Sequence, residues 1–309
     1  MAHLRQMRRF IAASLFFGAA VPGYSGTVTN TQDSGAGSLR DAINAFNAGG
    51  PSGSSIIFSI PATDPGCTSA DHCTINVASP LVVTGHGDLQ IGGSAQHIVL
   101  SWSGSAGMGA MLSPTSSVRL TLESLTLENA SGGAIHVTGS VYIWNSTFVN
   151  NSACSGGAIY LEDFGFLYMV NDTFAGNVAS GTGSCAHPGS GGALFVNQGQ
   201  GQTTVFVAHA TFADNFAASG GAVLGASSYG SGLHVDFLNS ILAKSVGGNC
   251  AAGVRLDGAG GSLDDDGSCA FNPSGNVNRW DIRASSTSST NGCTLSTGGI
   301  FAASAASST

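Results

Sequence analysis

Three stretches gather side chains that could do chemistry. Asp264-Asp265-Asp266 is the densest acidic group, Glu162-Asp163 pairs two carboxylates, and Gly85-His86-Gly87-Asp88 sets an imidazole beside a carboxylate. Hydrolysis of a glycosidic bond needs two carboxyl groups at a set separation. A polysaccharide lyase needs a base, Arg or Lys, above a bound cation, and carboxylate oxygens suit Ca²⁺. Three consecutive aspartates do not easily face one ion, so the triplet reads first as a solvated loop. Weak Ca²⁺ binding is the one cofactor chemistry it offers. The basic residues beyond the first 25 positions are Arg40, Arg119, Lys244, Arg255, Arg279 and Arg283, and none sits in an acidic cluster. His136, His187, His209 and His234 are scattered, and Gly85-His86-Gly87 reads as a glycine corner with an exposed imidazole. No G-x-S-x-G elbow, P-loop or H-E-x-x-H motif occurs, so no catalytic residue is assigned.

Charge and cysteine usage narrow the partners. The chain has 309 residues, with 17 acidic against nine basic and only 8% charged. Arg5, Arg8 and Arg9 precede an apolar run from Phe10 to Val21, followed by Gly23-Tyr24-Ser25. That order predicts a secretory signal peptide over residues 1–25, cut after Ser25 or else after Ala20. The run is too short for a membrane span, so the mature chain is expected to carry none. It would carry a formal charge of −11, with six basic and 17 acidic residues, which disfavours nucleic acid. Seven cysteines in an exported chain suggest disulfides. Cys67 and Cys73 bracket one loop, and Cys250 and Cys269 another. Cys154 and Cys185 lie in successive corner loops that stacking could bring together, and Cys293 is left over. Zinc ligation lacks any C-x-x-C or nearby His spacing.

The elements that must position these residues repeat. Val141 to Phe148, Leu167 to Phe174 and Val205 to Phe212 are copies of one phrase, with looser copies ending at Leu127 and Ile241. A second refrain falls between them: Gly132-Gly133-Ala134-Ile135, Gly156-Gly157-Ala158-Ile159, Gly191-Gly192-Ala193-Leu194 and Gly220-Gly221-Ala222-Val223. Steps of 26 residues (Thr147 to Thr173) and 38 residues (Thr173 to Thr211) signal a stacked array. The segments are short, β-branched or aromatic, and alternate, which excludes helical repeats. The fold class is therefore all-β, a parallel β-solenoid in which each coil shelters its neighbours. Leu127, Phe148, Phe174, Phe212 and Ile241 are expected to stack as an inner column. Asn151, Asn177 and Asn215, each three residues after a Phe, could take the left-handed conformation or form a ladder. The Gly-Gly pairs mark corners.

The most regular repeats span 118–247, within a solenoid domain over 26–284. Ser38 is a good N-cap, and Leu39, Ala42, Ile43 and Phe46 share one face of a short helix over 38–47 that Gly49-Gly50-Pro51 stops. An open solenoid end exposes core and needs a cap, and this helix supplies one. Residues 285–309, rich in Ser, Thr and Ala, read as a flexible tail.

Thr27 to Ile43, with Ser38-Leu39-Arg40-Asp41-Ala42 at its centre, resembles the C-S-L-R-E-A entry motif of bacterial exported right-handed β-helix proteins, with Gly37 in place of Cys. The Gly-Gly-Ala-Ile and Phe-x-x-Asn refrains resemble the repeats of chlamydial polymorphic outer-membrane proteins. Asn249-Cys250 with Asp266-Gly267-Ser268-Cys269 is similar to the end of the β-helix domain in choice-of-anchor proteins. These resemblances imply a right-handed β-helix of pectin-lyase-like architecture, located at the cell surface or outer membrane, in the periplasm, or released. With no catalytic motif in the sequence, the first reading is a non-catalytic scaffold for adhesion, with a polysaccharide or another surface protein as partner. The alternative is a lyase or glycoside hydrolase acting on acidic polysaccharide. Gly85-His86-Gly87 is similar to a polygalacturonase motif, but no aspartate pair precedes it.

Overall fold

The structure, a computed structural model, describes residues 25–92, 96–181, 189–199, 201–227, 232–252, 256 and 261–269. The expected signal peptide up to residue 24, the tail, His187, Cys185 and Cys293 lie outside the described residues. The chain winds as a right-handed parallel β-helix with three long sheets and one short one. One coil runs along Ser140–Trp144 in the first sheet, Thr147–Val149 in the second, Ser152–Ala153 in the short sheet and Ile159–Leu161 in the third. The next begins at Phe166–Val170. The repeated phrases lie in register, with Thr147, Thr173 and Thr211 side by side and Phe148, Phe174 and Phe212 behind them.

Two left-handed columns turn the chain. Between the first and second sheets, Ser124, Asn145, Asn171, His209 and Asn239 have φ between 48° and 61°. After the second sheet, Asn129, Asn150, Gly176, Asp214 and Lys244 have φ between 55° and 64°. Asn and Gly tolerate this region best, which accounts for their recurrence. The sequence offered that conformation to Asn151, Asn177 and Asn215. It falls instead one residue earlier, because their own side chains turn inward. Gly156 and Gly191, at φ +65° and +71°, open the third corner, where a Cβ would meet backbone of the same coil.

Inside the first sheet Val141, Ile143, Leu167, Met169, Val205 and Val207 are fully buried. Behind the second sheet, Leu127 pairs with Phe148 in the inner column. Phe148 and Phe174 stack at 4.7 Å and 3°, and Phe174 and Phe212 at 4.8 Å and 9°. The next member is Leu242, not Ile241. In a strand, side chains alternate sides. Ile241 aligns with Thr211 on the outside, and the buried neighbour of Phe212 is one residue on.

The helix Leu39–Asn47 covers the first coil. Ser38 caps it through Asp41 N–H, and Asp41 accepts from Gly37 N–H at 3.3 Å. Leu39, Ala42, Ile43 and Phe46 are buried. Arg40 binds Asp33 at 2.7 Å and the carbonyls of Ser79 and Pro80 at 2.8 and 2.9 Å. Asn47 accepts from Thr84 and Gly85 N–H. Gly37, at φ +78°, has no room for a Cβ beside Thr29. Nearby, Cys67 and Cys73 form a disulfide across a hairpin, Cys67–Ser69 against His72–Val77, the one antiparallel pairing among the described residues.

Candidate functional site

The outward face of the first sheet carries an aromatic strip. Tyr142, Tyr168 and Phe206 occupy one row on successive coils, with Trp144 and Phe166 in the flanking rows. All five are half-buried. Tyr168 and Phe206 stack at 4.6 Å and 7°, while Tyr142 and Trp144 are tilted 39° and 47° from Tyr168. Glu123 lies beside Trp144 at one end and Asp236 beside Phe206 at the other. Burial, then the neighbouring Tyr142, raises the Tyr168 phenol above its usual range, so it stays a neutral hydroxyl.

Phe164 stands at the corner leading into this strip. It is 71% exposed and sits at φ +62°, where a bulky residue is strained. A Cβ placed on Gly201 would lie 2.6, 2.6 and 2.7 Å from three consecutive atoms of its ring. A point so nearly equidistant from adjacent ring atoms lies over the ring face, so Phe164 rests flat on the Gly201 backbone with its other face outward. Asp163 holds Gly201 N–H at 3.1 Å through both oxygens.

On the third sheet, His136 and Tyr160 are outward neighbours on successive coils. His136 Nε2 lies 3.1 Å from Glu162 Oε1, and Asn197 donates to Glu162 Oε2 at 2.7 Å. Burial, then Glu162, pushes the Tyr160 phenol up to about 12. The sequence left His136 isolated. The register shows otherwise, because 26 residues separate it from Glu162, one coil of this array. His86 is exposed at its glycine corner, His209 is in a left-handed turn, and His234 faces outward at the end of the first sheet.

Inside, two polar ladders tie the coils. Asn151 Nδ2 donates to Asn177 Oδ1, and Asn177 Nδ2 to Asn215 Oδ1, both at 3.0 Å. The same oxygens accept from backbone N–H groups of the preceding coil. Each Nδ2 also donates to a carbonyl, that of Leu127, Phe148 or Phe174. The second ladder, at the first corner, escaped the sequence reading. Leu125 N–H donates to Ser146 Oγ, Ser146 N–H to Asp172 Oδ1, Ala210 N–H to Ser240 Oγ and Ser240 N–H to Ser262 Oγ. Its rungs stand one residue ahead of the second-sheet strands. Asp172 is 1% exposed and its Oδ2 has no partner. Burial pushes this carboxyl up to about 7, against the pull of the Ser146 and Val170 backbone.

The aspartate triplet does converge. One oxygen from each of Asp264, Asp265 and Asp266 lies within 4.8 Å of the others, so three consecutive aspartates do face one point. The reason is a set of backbone donors: Cys269 N–H binds Asp264, Lys244 N–H binds Asp265, and Asn249 N–H binds Asp266. Asn249 Nδ2 donates to Asp264 at 2.6 Å and Asp265 at 2.9 Å. The triplet thus accepts hydrogen bonds that a further coil would accept, and burial pushes Asp264 up. The Cys250–Cys269 disulfide closes the same end. Cys154 is also disulfide-bonded.

A right-handed parallel β-helix with these corners defines the class of architecture. Residues 145–162 match the Chlamydia polymorphic membrane protein (Chlamydia_PMP) repeat. The matched stretch runs from the left-handed Asn145 through Phe148, Asn151 and the Gly156-Gly157 corner to Glu162. No curated protein and no solved structure matches the chain. No described helix is long and apolar enough to cross a membrane, which says nothing of a β-barrel.

Proposed function

We propose that the chain is an exported, surface-displayed β-helix scaffold that makes contact with a carbohydrate or protein partner and catalyses nothing. The observation that carries this reading is the outward aromatic surface of Tyr142, Trp144, Phe166, Tyr168 and Phe206, extended by Phe164. Exposed apolar patches mark interaction sites, and Trp and Tyr dominate contact energies. The match to a membrane-protein repeat supports display at an outer membrane. The carboxylates that could have been catalytic are engaged in structure: Glu162 by His136 and Asn197, the triplet by backbone donors.

Protease shaving of intact cells tests display. The chain should vanish from an immunoblot without cell lysis; survival until the envelope is permeabilised would sink the reading. The His136–Glu162 pair favours a second reading, cleavage of acidic polysaccharide. Release of reducing or unsaturated ends from pectate or alginate, lost in Glu162→Gln, would establish it in place of the first.

A further inference from the structure

The aromatic surface is specific about what it can hold. We infer that Phe164 is the anchor of a binding subsite for a neutral polysaccharide, whose chain continues over Phe166 and Tyr142 on the first sheet. This rests on the contact reading above and names its ligand.

Three observations carry it. First, Phe164 offers an open ring face. Gly201 lies beneath it with no side chain in the way, and the residue as a whole is 71% exposed. The face of an aromatic ring is the negative side of its quadrupole, and it meets the electropositive C–H face of a pyranose. Secondly, the backbone at Phe164 is left-handed, and Phe164 is the one large apolar side chain among the described left-handed non-glycine positions. Strain kept at an exposed position points to function. Thirdly, the platform is narrow. The aromatic rows cover three coils, about 10 Å along the axis, by one strand of five residues. A stable protein interface needs about 800 Å² on each partner, far more than this strip supplies. A single extended sugar chain fits it, because one coil is about as deep as one pyranose is long.

Charge selects among sugars. Glu123 and Asp236 bound the strip, Arg119 at the head of the Phe166 row is paired with Asp88 at 3.4 Å, and the whole chain has a formal charge of −8. Uronate polymers are repelled, whereas the hydroxyl groups of a neutral chain donate to carboxylates. The Tyr142 and Tyr168 hydroxyls add neutral donors and acceptors.

Affinity electrophoresis of the purified chain tests this, using native gels cast with hydroxyethylcellulose, xyloglucan, galactomannan or polygalacturonate. At least one neutral polymer should retard the protein and polygalacturonate should not. Phe164→Gly should bind about tenfold more weakly while melting no lower than the parent, because glycine relieves the left-handed strain. Phe164→Trp should keep retardation. Equal retardation of the parent and Phe164→Gly, retardation by polygalacturonate alone, or none by any neutral polymer would overturn the inference. The contact reading fails separately: beads coated with the parent chain would then adhere to cells no better than beads coated with Tyr168→Ala. Loss of adhesion in that variant without any sugar binding would mean a protein ligand.

Discussion

Asp172 should make the rod less stable as pH rises. It is 1% exposed, its Oδ2 is unpartnered, and its carboxyl is pushed from 3.8 up to about 7 by burial. In the unfolded chain it ionises near pH 4. Below that, both states hold the proton and Asp172 costs nothing. Between pH 4 and 7 the unfolded state ionises first and the folded state keeps its proton, so stability falls with pH. Above about 7 the loss is complete. A rise of about three units at 1.36 kcal/mol per unit makes ~4 kcal/mol. The other rungs of this ladder show the remedy. Ser146 and Ser240 accept from the preceding coil and donate to the carbonyls of Trp144 and Leu238, two residues back. Asp172→Ser would accept from Ser146 N–H and donate to the Val170 carbonyl in the same way. Urea melts of both proteins from pH 4 to 9 are the assay. The difference should be small at pH 4 and grow to a few kcal/mol in favour of the serine variant by pH 8. Parallel curves, offset but of equal slope, would refute the reasoning, since other titrating groups are common to both.

Phe174→Ala should cost about 3–5 kcal/mol, because the ring is stacked on both faces inside the column. Phe174→Asp should leave the chain unfolded by circular dichroism. Asn177→Leu removes the acceptor of Asn151 N–H and Nδ2 and the donor to Phe148 and Asn215. Buried groups left unpaired cost about 1–3 kcal/mol each, so thermal unfolding should drop sharply and far more than for Asn150→Gly, an exposed left-handed corner. Reducing or deleting Cys250–Cys269 should speed amide hydrogen exchange at Leu242 and Asn249 first, with the 140–175 coils unaffected; uniform exchange would contradict a local closing role.

Much of the fold was legible because a solenoid repeats its constraints. The Thr-Phe pairs fixed the register, and the Gly-Gly pairs marked one corner. Ser38 and the four apolar residues after it marked the helix. What failed was phase and proximity. Ile241 and Leu242 are both apolar, so hydrophobicity could not say which points inward, and only alignment with Thr211 and Phe212 decides. His136 and Glu162 are 26 residues apart, and no local pattern joins them. The convergence of the aspartate triplet does not show in local spacing, because it is the orphan N–H groups of the last coil that draw all three carboxylates together. The first-corner ladder was hidden by variety, since Ser, Asp and Ala alternate there and only position unites them.

The coil leaves its outward faces free, and that freedom separates the aromatic strip from the rest. On the second sheet, Thr147, Thr173 and Thr211 with Val149, Ala175 and Ala213 suffice to build an outer face on the same coils. Folding therefore does not require Tyr142, Trp144, Phe166, Tyr168 and Phe206 on the first. Cross-strand aromatic pairs do stabilise a sheet, so the strip alone could be explained as an outer stack. Phe164 cannot be. It pairs with no strand, is mostly exposed, and holds a backbone conformation that costs about 1–3 kcal/mol. A residue that the fold would be better without is kept for something outside the fold. If Phe164→Gly melts lower than the parent, its place is structural after all, and the case for a ligand on this face goes with it.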